Sequence, residues 1–346
     1  MIDRDSIAVQ RWTAGSIGAT GFLVVIVIAL AFAPVMLDAD TVDKLTTLYI
    51  YVILAAMWNA LAGYAGLVSV GQQAFFGLGA YAAIHLADFG VSPYLSLILG
   101  ALIAGAAALP ISWFMLKLRG GEFAIGMWVV AEVAHLLVNL DTLINGETGT
   151  SLISLNVYSA EMRRADNYWL TLGTMVVLLG TVFILLRSRF GASMQAIRDD
   201  EDAAASVGVM VSTNKRIMFV LAATGCAAAG TLWLATSITF QPKTYFGVQW
   251  SAYMIFMVLV GGLGTFEGPI LGALLFFFVQ NQFGENGVWY LVGLGATGIL
   301  FALFLPRGIW GSVEDRFGLR LMPVGYRLYF VETVLTRFKT REAGSD

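Results

Sequence analysis

The sequence predicts an all-α polytopic membrane protein of about ten transmembrane helices, some broken at glycine-rich points, with one short extramembrane helix held between two spans. Three observations predict it. Hydrophobic residues make up 58% of the 346 and charged residues only 12%, with a mean hydropathy of +0.78; a soluble domain carries about twice that charge. Apolar windows of about 20 residues, each long enough to cross a bilayer, recur through the whole length. The 20 basic residues divide unevenly between the two sides that those crossings create.

The opening segment MIDRDSIAVQRW precedes an apolar run from Ile17 to Val35. A cleaved signal would have a shorter core and small residues before its cut site. Pro34 and Met36 stand there instead, so the run reads as a retained first span. Spans fall at about 16–36, 46–62, 66–87, 93–117, 121–140, 167–187, 216–239, 248–263, 267–283 and 287–305. Ten crossings return the chain to its starting side. With the N-terminus inside, the inner segments hold sixteen basic residues and the outer segments four, Lys44, Arg163, Arg164 and Lys243. That is the bias expected of a correct orientation, with both termini cytoplasmic. Spans eight and nine are short and separated only by VGGLGTFEGP, so a single re-entrant unit is the alternative there. The longest outer loop, from about Asp141 to Asp166, contains the turn-rich run Asn145-Gly146-Glu147-Thr148-Gly149-Thr150.

Two domains follow from this division: a transmembrane domain over 1–310, including an inner loop at 187–216, and a cytoplasmic tail over 311–346. In the tail, Tyr326 to Phe338 mixes aromatic and basic residues, which suits the inner membrane surface. A solvated, poorly ordered tail is the other reading for the last ten residues.

Several classes are excluded. A net charge of −3 argues against a nucleic-acid partner. Cys226 is the only cysteine, so no intramolecular disulfide can form. Two histidines far apart and one cysteine make no metal site. No GxxxxGK[ST] loop and no nucleophile–base constellation occurs, so no catalytic residue is expected in this chain.

Polar residues at membrane depth mark the candidate path. Asn59 to Tyr81 reads NALAGYAGLVSVGQQAFFGLGAY, with Asn59, Tyr64, Ser69, Gln72 and Gln73 among glycines 63, 66, 71, 77 and 79. Exposed backbone in lipid is very costly, so an interrupted helix belongs against protein or a water-filled cavity. Close helix packing through Gly77 and Gly79 is the alternative reading. In span five, Glu132, His135 and Asn139 recur at i, i+3 and i+7 and share one face. An ionisable residue in a span is a functional candidate by default, with a structural hydrogen bond as the alternative. His85, near the outer end of span three, reads as interfacial. Val260 to Ala273, VGGLGTFEGPILGA, is a second glycine-rich interruption or a plain interhelical turn.

The inner loop RSRFGASMQAIRDDEDAAASVGVMVSTNKR spans Arg187 to Arg216. Ser193 is the expected N-cap and Gly208 the expected C′ residue of one helix. About 15 residues lie between them, roughly 22 Å of helix at 1.5 Å per residue. Met194, Ile197, Ala204 and Val207 form its apolar side, Arg198 and Asp202 pair at i,i+4, and Asp199, Asp200 and Glu201 face water. Such a helix can enter a partner's groove.

Four stretches together resemble the branched-chain amino-acid ABC permeases, the LivM and LivH group. They are Asn59–Tyr81, GGEFAIGMWVVAEVAHLLVNL at Gly120–Leu140, RSRFGASMQAIRDDEDAAASVGV at Arg187–Val209, and GGLGTFEGP at Gly261–Pro269. The resemblance covers about residues 45 to 310, and the long N-terminal span is closer to the M-type subunit. It implies the permease of an ATP-driven importer in the bacterial inner membrane. Such a permease pairs with a second related permease and two cytoplasmic ATPases, which carry the ATP and magnesium, and receives substrate from an extracytoplasmic binding protein. The chain itself would hold no cofactor. The coupling loop of ABC importers carries E-A-A-x-x-x-G, matched here by Asp202-Ala203-Ala204-Ala205-Ser206-Val207-Gly208. The resemblance thus makes the extramembrane helix a cytoplasmic coupling helix, with Ile197, Arg198, Asp202, Ala203, Ala204 and Gly208 its ATPase-facing residues. Asn145-Gly146-Glu147-Thr148-Gly149 departs from the group's outer loop, and His135 stands where the group often has a basic residue. The same scaffold serves urea, short-chain amides and small carboxylates. An ion-coupled secondary transporter is the rival from another class.

Overall fold

A computed structural model describes residues 7–10, 14–317, 321, 322, 324 and 327–330. The chain is nearly all helix: α1 (Ala14–Ala31), α2 (Ala33–Met36), α3 (Ala39–Asn59), α4 (Gln73–Asp88), α5 (Pro93–Met115), α6 (Gly120–Asn139), α7 (Ala160–Arg187), α8 (Arg189–Asp199), α9 (Glu201–Ser206), α10 (Val211–Ser237), α11 (Pro242–Tyr245), α12 (Gln249–Gly261), α13 (Gly268–Phe283), α14 (Val288–Phe304) and α15 (Gly308–Phe317). Two small antiparallel pairs accompany the helices among the described residues. β2 (Thr150–Ser151) joins β3 (Thr239–Phe240), and β1 (Ile7–Gln10) joins β4 (Arg327–Phe330), so segments near the two ends of the chain lie side by side. Of the tail segment Tyr326–Phe338, only Arg327–Phe330 is among the described residues, and it is strand.

Among the described residues, seven helices are long and apolar enough to cross a membrane: Ala39–Tyr64, Pro93–Met115, Gly120–Asn139, Ala160–Arg187, Val211–Ser237, Pro242–Gly261 and Val288–Phe317. The other three expected spans are helical but shorter, with an apolar stretch Ile17–Ala31 in α1 and 16 residues in each of α4 and α13. The shortening of α4 has a clear cause. The chain from Gly66 to Gly71 is not helical, and Gly66 takes φ +69°.

The interior is built around α3, whose residues from Tyr49 onward are buried. Asp38 starts α3, its carboxylate accepting from Thr41 N at 3.1 Å. Glycines let α4, α5 and α10 close on one another. A Cβ on Gly79 would sit 2.5 Å from the Ala227 carbonyl oxygen, and one on Gly100 would sit 2.7 Å from that of Gly79. Small residues at such crossings are what drive helix association in lipid, where apolar burial gives no net advantage. α12 and α13 form an antiparallel hairpin. Gly261 lies against Gly268, Met257 against Gly272, and Tyr253 against Phe276 with ring centroids 4.8 Å apart. They are therefore two distinct helices, joined by a turn in which Gly262 and Gly264 take φ +139° and +75°.

The attachment of α1 follows from Pro34. That residue has no N–H to serve the Leu30 carbonyl four residues back. Tyr168 donates to Leu30 O instead, at 2.7 Å, and Trp169 Nε1 donates to Ala31 O at 2.9 Å. Tyr49 then donates to the Tyr168 hydroxyl at 2.8 Å.

Candidate functional site

The inner loop departs from the single helix expected. Ser188, not Ser193, caps α8, its hydroxyl accepting from Phe190 N at 3.1 Å. α8 ends at Asp199 because Asp200 turns out of the helix, with φ −157° and ψ 111°. The Asp200 carboxylate then caps α9, accepting from Asp202 N at 3.0 Å and Ala203 N at 2.9 Å. The loop is two short helices with a capped break. Gly208 closes the second in the left-handed region, at φ +87°, as its expected C′ role requires.

The break redirects the charges. Arg198 and Asp202 do not pair. Arg198 holds Asp199 at 3.3 Å and donates from Nη1 to the Gly63 carbonyl at 3.0 Å. Asp202 is 3.4 Å from Arg119 at the start of α6. Nor does Glu201 face water alone, because Lys215, itself buried, reaches its Oε2 at 2.5 Å. Met194, Ile197 and Ala204 are buried against the rest of the chain, whereas Val207 is 79% exposed and leaves the expected apolar side. The outward edge of α9 is Asp202, Ala203, Ala205 and Ser206.

Arg198 meets a gap in the helical ladder. After Asn59 the chain widens into a π-turn, Ala60–Tyr64, whose i→i+5 pattern ends α3. Asn59, 2% exposed, lies beneath the α12–α13 turn, accepting from Gly264 N at 2.8 Å and donating to Thr265 O at 2.8 Å. Only glycine fits at 63, since a Cβ there would be 2.7 Å from Gly264 N. Beyond Gly66 the non-helical segment alternates between buried and exposed positions, with Leu67 and Ser69 buried and Val68 exposed. Trp58 Nε1 donates to Ser69 O at 2.8 Å, and the Ser69 hydroxyl accepts from Gly71 N at 3.3 Å. Gln73 accepts from Ser251 on α12. Gln72 is fully buried, and neither its Oε1 nor its Nε2 has a hydrogen-bond partner among the described residues. Tyr64 is buried as well.

A cavity of 890 Å³ runs between α12 and α14, walled by Ala252, Phe256, Leu294, Gly298 and their neighbours, and none of the expected path residues borders it.

Glu132, His135 and Asn139 do share a face of α6, and the outer loop closes on it. One Glu147 oxygen lies 2.8 Å from His135 Nε2 and accepts from Asn139 Nδ2 at 2.5 Å; the other accepts from Lys243 N at 2.9 Å. Glu132 stands 3.5 Å from His135 Nδ1 and is 58% exposed. Burial pushes the Glu147 carboxyl up, but the bonds from Asn139 and Lys243 N and the His135 ring outweigh it and leave it below the usual range. His85 Nε2 is 2.7 Å from Asp141, which also accepts from Tyr81 at 2.6 Å. The bonds from Tyr81 and Leu143 N hold the Asp141 carboxyl low. Among the described residues no cluster of three His, Cys, Asp or Glu could hold a metal.

Glu147, Asp200, Lys215 and Ser251 are partners that the sequence did not single out for these roles. Asp200 alone carried a usable signal, an Asp directly ahead of Glu-Asp-Ala-Ala.

Fold and site define a polytopic helical membrane protein whose capped two-helix loop is hydrogen-bonded to one glycine-rich stretch and lies beside a second. The chain belongs to the family described as branched-chain amino acid transport system / permease component, whose model matches residues 41–304. It is 27% identical over 326 residues to the high-affinity branched-chain amino acid transport system permease protein LivM of Escherichia coli, covering 86% of this chain and 76% of that one. It is 25% identical to the corresponding BraD protein of Pseudomonas aeruginosa, covering 79% and 95%. The ribose import permease protein RbsC of Escherichia coli is 28% identical, covering 60% and 69%.

Proposed function

We propose that this chain is the membrane-spanning subunit of an ATP-driven importer of branched-chain amino acids. It works with a second related permease, two cytoplasmic ATPases that hold ATP and magnesium, and an extracytoplasmic binding protein. Its setting is a bacterial inner membrane, crossed ten times with both termini inside, by a permease domain over 1–310 and a tail over 311–346. The observation that carries the reading is the inner loop, buried along Met194, Ile197 and Ala204 and open along Asp202 and Ala203. A fixed inner edge and a free outer edge are what a docking element between two subunits needs. The pairing of β1 with β4 supports an even number of crossings. The names of the LivM and BraD relatives support the substrate class.

In this reading the interior break at Ser69, Gln72 and Gln73 belongs to the moving part of the path, and Glu132, His135 and Asn139 to its outer mouth. No catalytic residue resides in the chain. The test is co-expression with its partner permease and ATPases, followed by leucine uptake into proteoliposomes. ATP-dependent uptake requiring all subunits is expected. Uptake by this chain alone, driven by an ion gradient, would make it a secondary transporter; ATP-driven uptake of urea or acetate in place of leucine would change the substrate. A cytoplasm-only fluorescent reporter fused after Asp346 should light up.

A further inference from the structure

Two interruptions of the helical ladder and one interhelical turn meet at the inner loop. They are the π-turn Ala60–Tyr64, the extended segment from Gly66, and the α12–α13 turn. Two side chains tie them together. Asn59 offers the α12–α13 turn one acceptor and one donor, as a neighbouring backbone would, accepting from Gly264 N and donating to Thr265 O at 2.8 Å each. Arg198 comes from the other side. Its Nη1 donates to Gly63 O at 3.0 Å and lies 3.2 Å from where a Cβ on Gly264 would be, so the guanidinium sits between the two breaks. The Arg198 backbone passes beside Gly66, with its Cα 3.5 Å from where a Cβ there would be. Asp199 occupies another edge of the guanidinium and holds it in this orientation. Ile197, the residue before, is buried, so the arginine cannot follow an outward partner without leaving the permease.

We propose that Arg198 and Asn59 are positioning residues that form one linkage in series, passing displacement of the α8–α9 loop to α3 and to the α12–α13 turn together. Arg198 does not serve as a surface contact for the ATPase, nor does Asn59 contact substrate. The π-turn replaces the i→i+4 ladder with i→i+5 bonds, and the α12–α13 turn lies between two ladders, so at both points helices can shift without breaking an α-helical run of hydrogen bonds. A planar guanidinium fork fixes direction as well as distance, which a lysine ammonium does not.

The proposal rests on the importer reading, and the closing experiment separates the two. The complete complex is assembled in proteoliposomes with wild type, Arg198→Gln, Arg198→Lys, Asn59→Leu and the double variant Arg198→Gln/Asn59→Leu. Leucine uptake and ATP hydrolysis are measured on the same vesicles, and ATPase retention on purification is measured beside them. For Arg198→Gln and Asn59→Leu the expected result is ATPase retention within about twofold of wild type and at least a tenfold fall in leucine moved per ATP hydrolysed. Arg198→Lys, which keeps a donor for Gly63 O, should recover part of the ratio. The double variant should be no worse than the poorer single one, as for two members of one linkage. Loss of ATPase retention in Arg198→Gln would make Arg198 a docking residue and overturn the linkage. So would an unchanged ratio in either single variant, or two losses that multiply in the double variant. A wild-type complex without ATP-driven uptake would instead overturn the importer reading, and the linkage with it.

Discussion

Replacing Gln72 with Leu separates a structural residue from a functional one by sign. Gln72 is 0% exposed, and its amide oxygen and nitrogen are both without a partner among the described residues. A buried donor or acceptor left unmade costs about 1–3 kcal/mol, whereas an apolar group of similar shape costs nothing of that kind. Leu is close to Gln in reach and adds apolar burial. Gln72→Leu should therefore raise the stability of the purified permease by about 1–3 kcal/mol, a five- to 150-fold shift in the folded population at about 1.4 kcal/mol per tenfold. Uptake should fall at the same time, because an amide kept at such cost is kept for the transport cycle. The assay is a thermal or denaturant midpoint in detergent, paired with uptake by the assembled complex. A lowered midpoint would mean that the amide is engaged in the fold. A raised midpoint with full uptake would make Gln72 incidental.

The two neighbouring alanines of α9 should behave oppositely. Ala203 is exposed and Ala204 is 3% exposed. Ala203→Trp should leave the permease's stability within about 0.5 kcal/mol and abolish ATPase retention, while Ala204→Trp should cost about 1–3 kcal/mol by overpacking and open the loop to protease. Asp200→Ala removes the cap that accepts from Asp202 N and Ala203 N and should cost the loop about 0.5–2 kcal/mol, read as faster proteolysis near Glu201. The Glu147 and Asp141 carboxyls are both held low in the folded chain. Their contribution is thus complete above the ordinary carboxylate range and is lost as pH falls through their lowered values, so the protection of amides in 141–151 relative to their intrinsic exchange should fall under acid, and Glu147→Gln should lower it already at pH 7.

Membrane burial made some positions legible and left their partners illegible. Asn59 and Gln73 stood out because polar side chains are rare at that depth. Nothing local could say that Asn59 meets Gly264, or that Gln73 meets Ser251, since those partners lie 205 and 178 residues further along the chain. The glycines at 63 and 264 stood out in the sequence, the first in a helix interruption and the second in what proves to be an interhelical turn, yet only the packed structure brings the two into contact. For the same reason the face formed by Glu132, His135 and Asn139 was readable from helical spacing, but Glu147 was not. Its place depends on the path of an outer loop tied down by β2–β3 pairing and by Lys243 N.

The inner loop failed in a more instructive way. Met194, Ile197, Ala204 and Val207 fit one continuous helical stripe, and periodicity cannot detect a break that preserves it. The break comes from local chemistry: four consecutive acidic residues, Asp199 to Asp202, crowd one turn, and Asp200 is better used as an N-cap than as a helical residue. Once the helix divides, an i,i+4 pair across the division has no meaning. Arg198 is left at the end of α8 with its guanidinium turned inward to Gly63, and Asp202 lies in the first turn of α9 facing out toward Arg119. The capped break thus sorts the loop's charges into an inward set that holds the permease and an outward set open to a partner, a division that one uninterrupted helix of the same composition could not make.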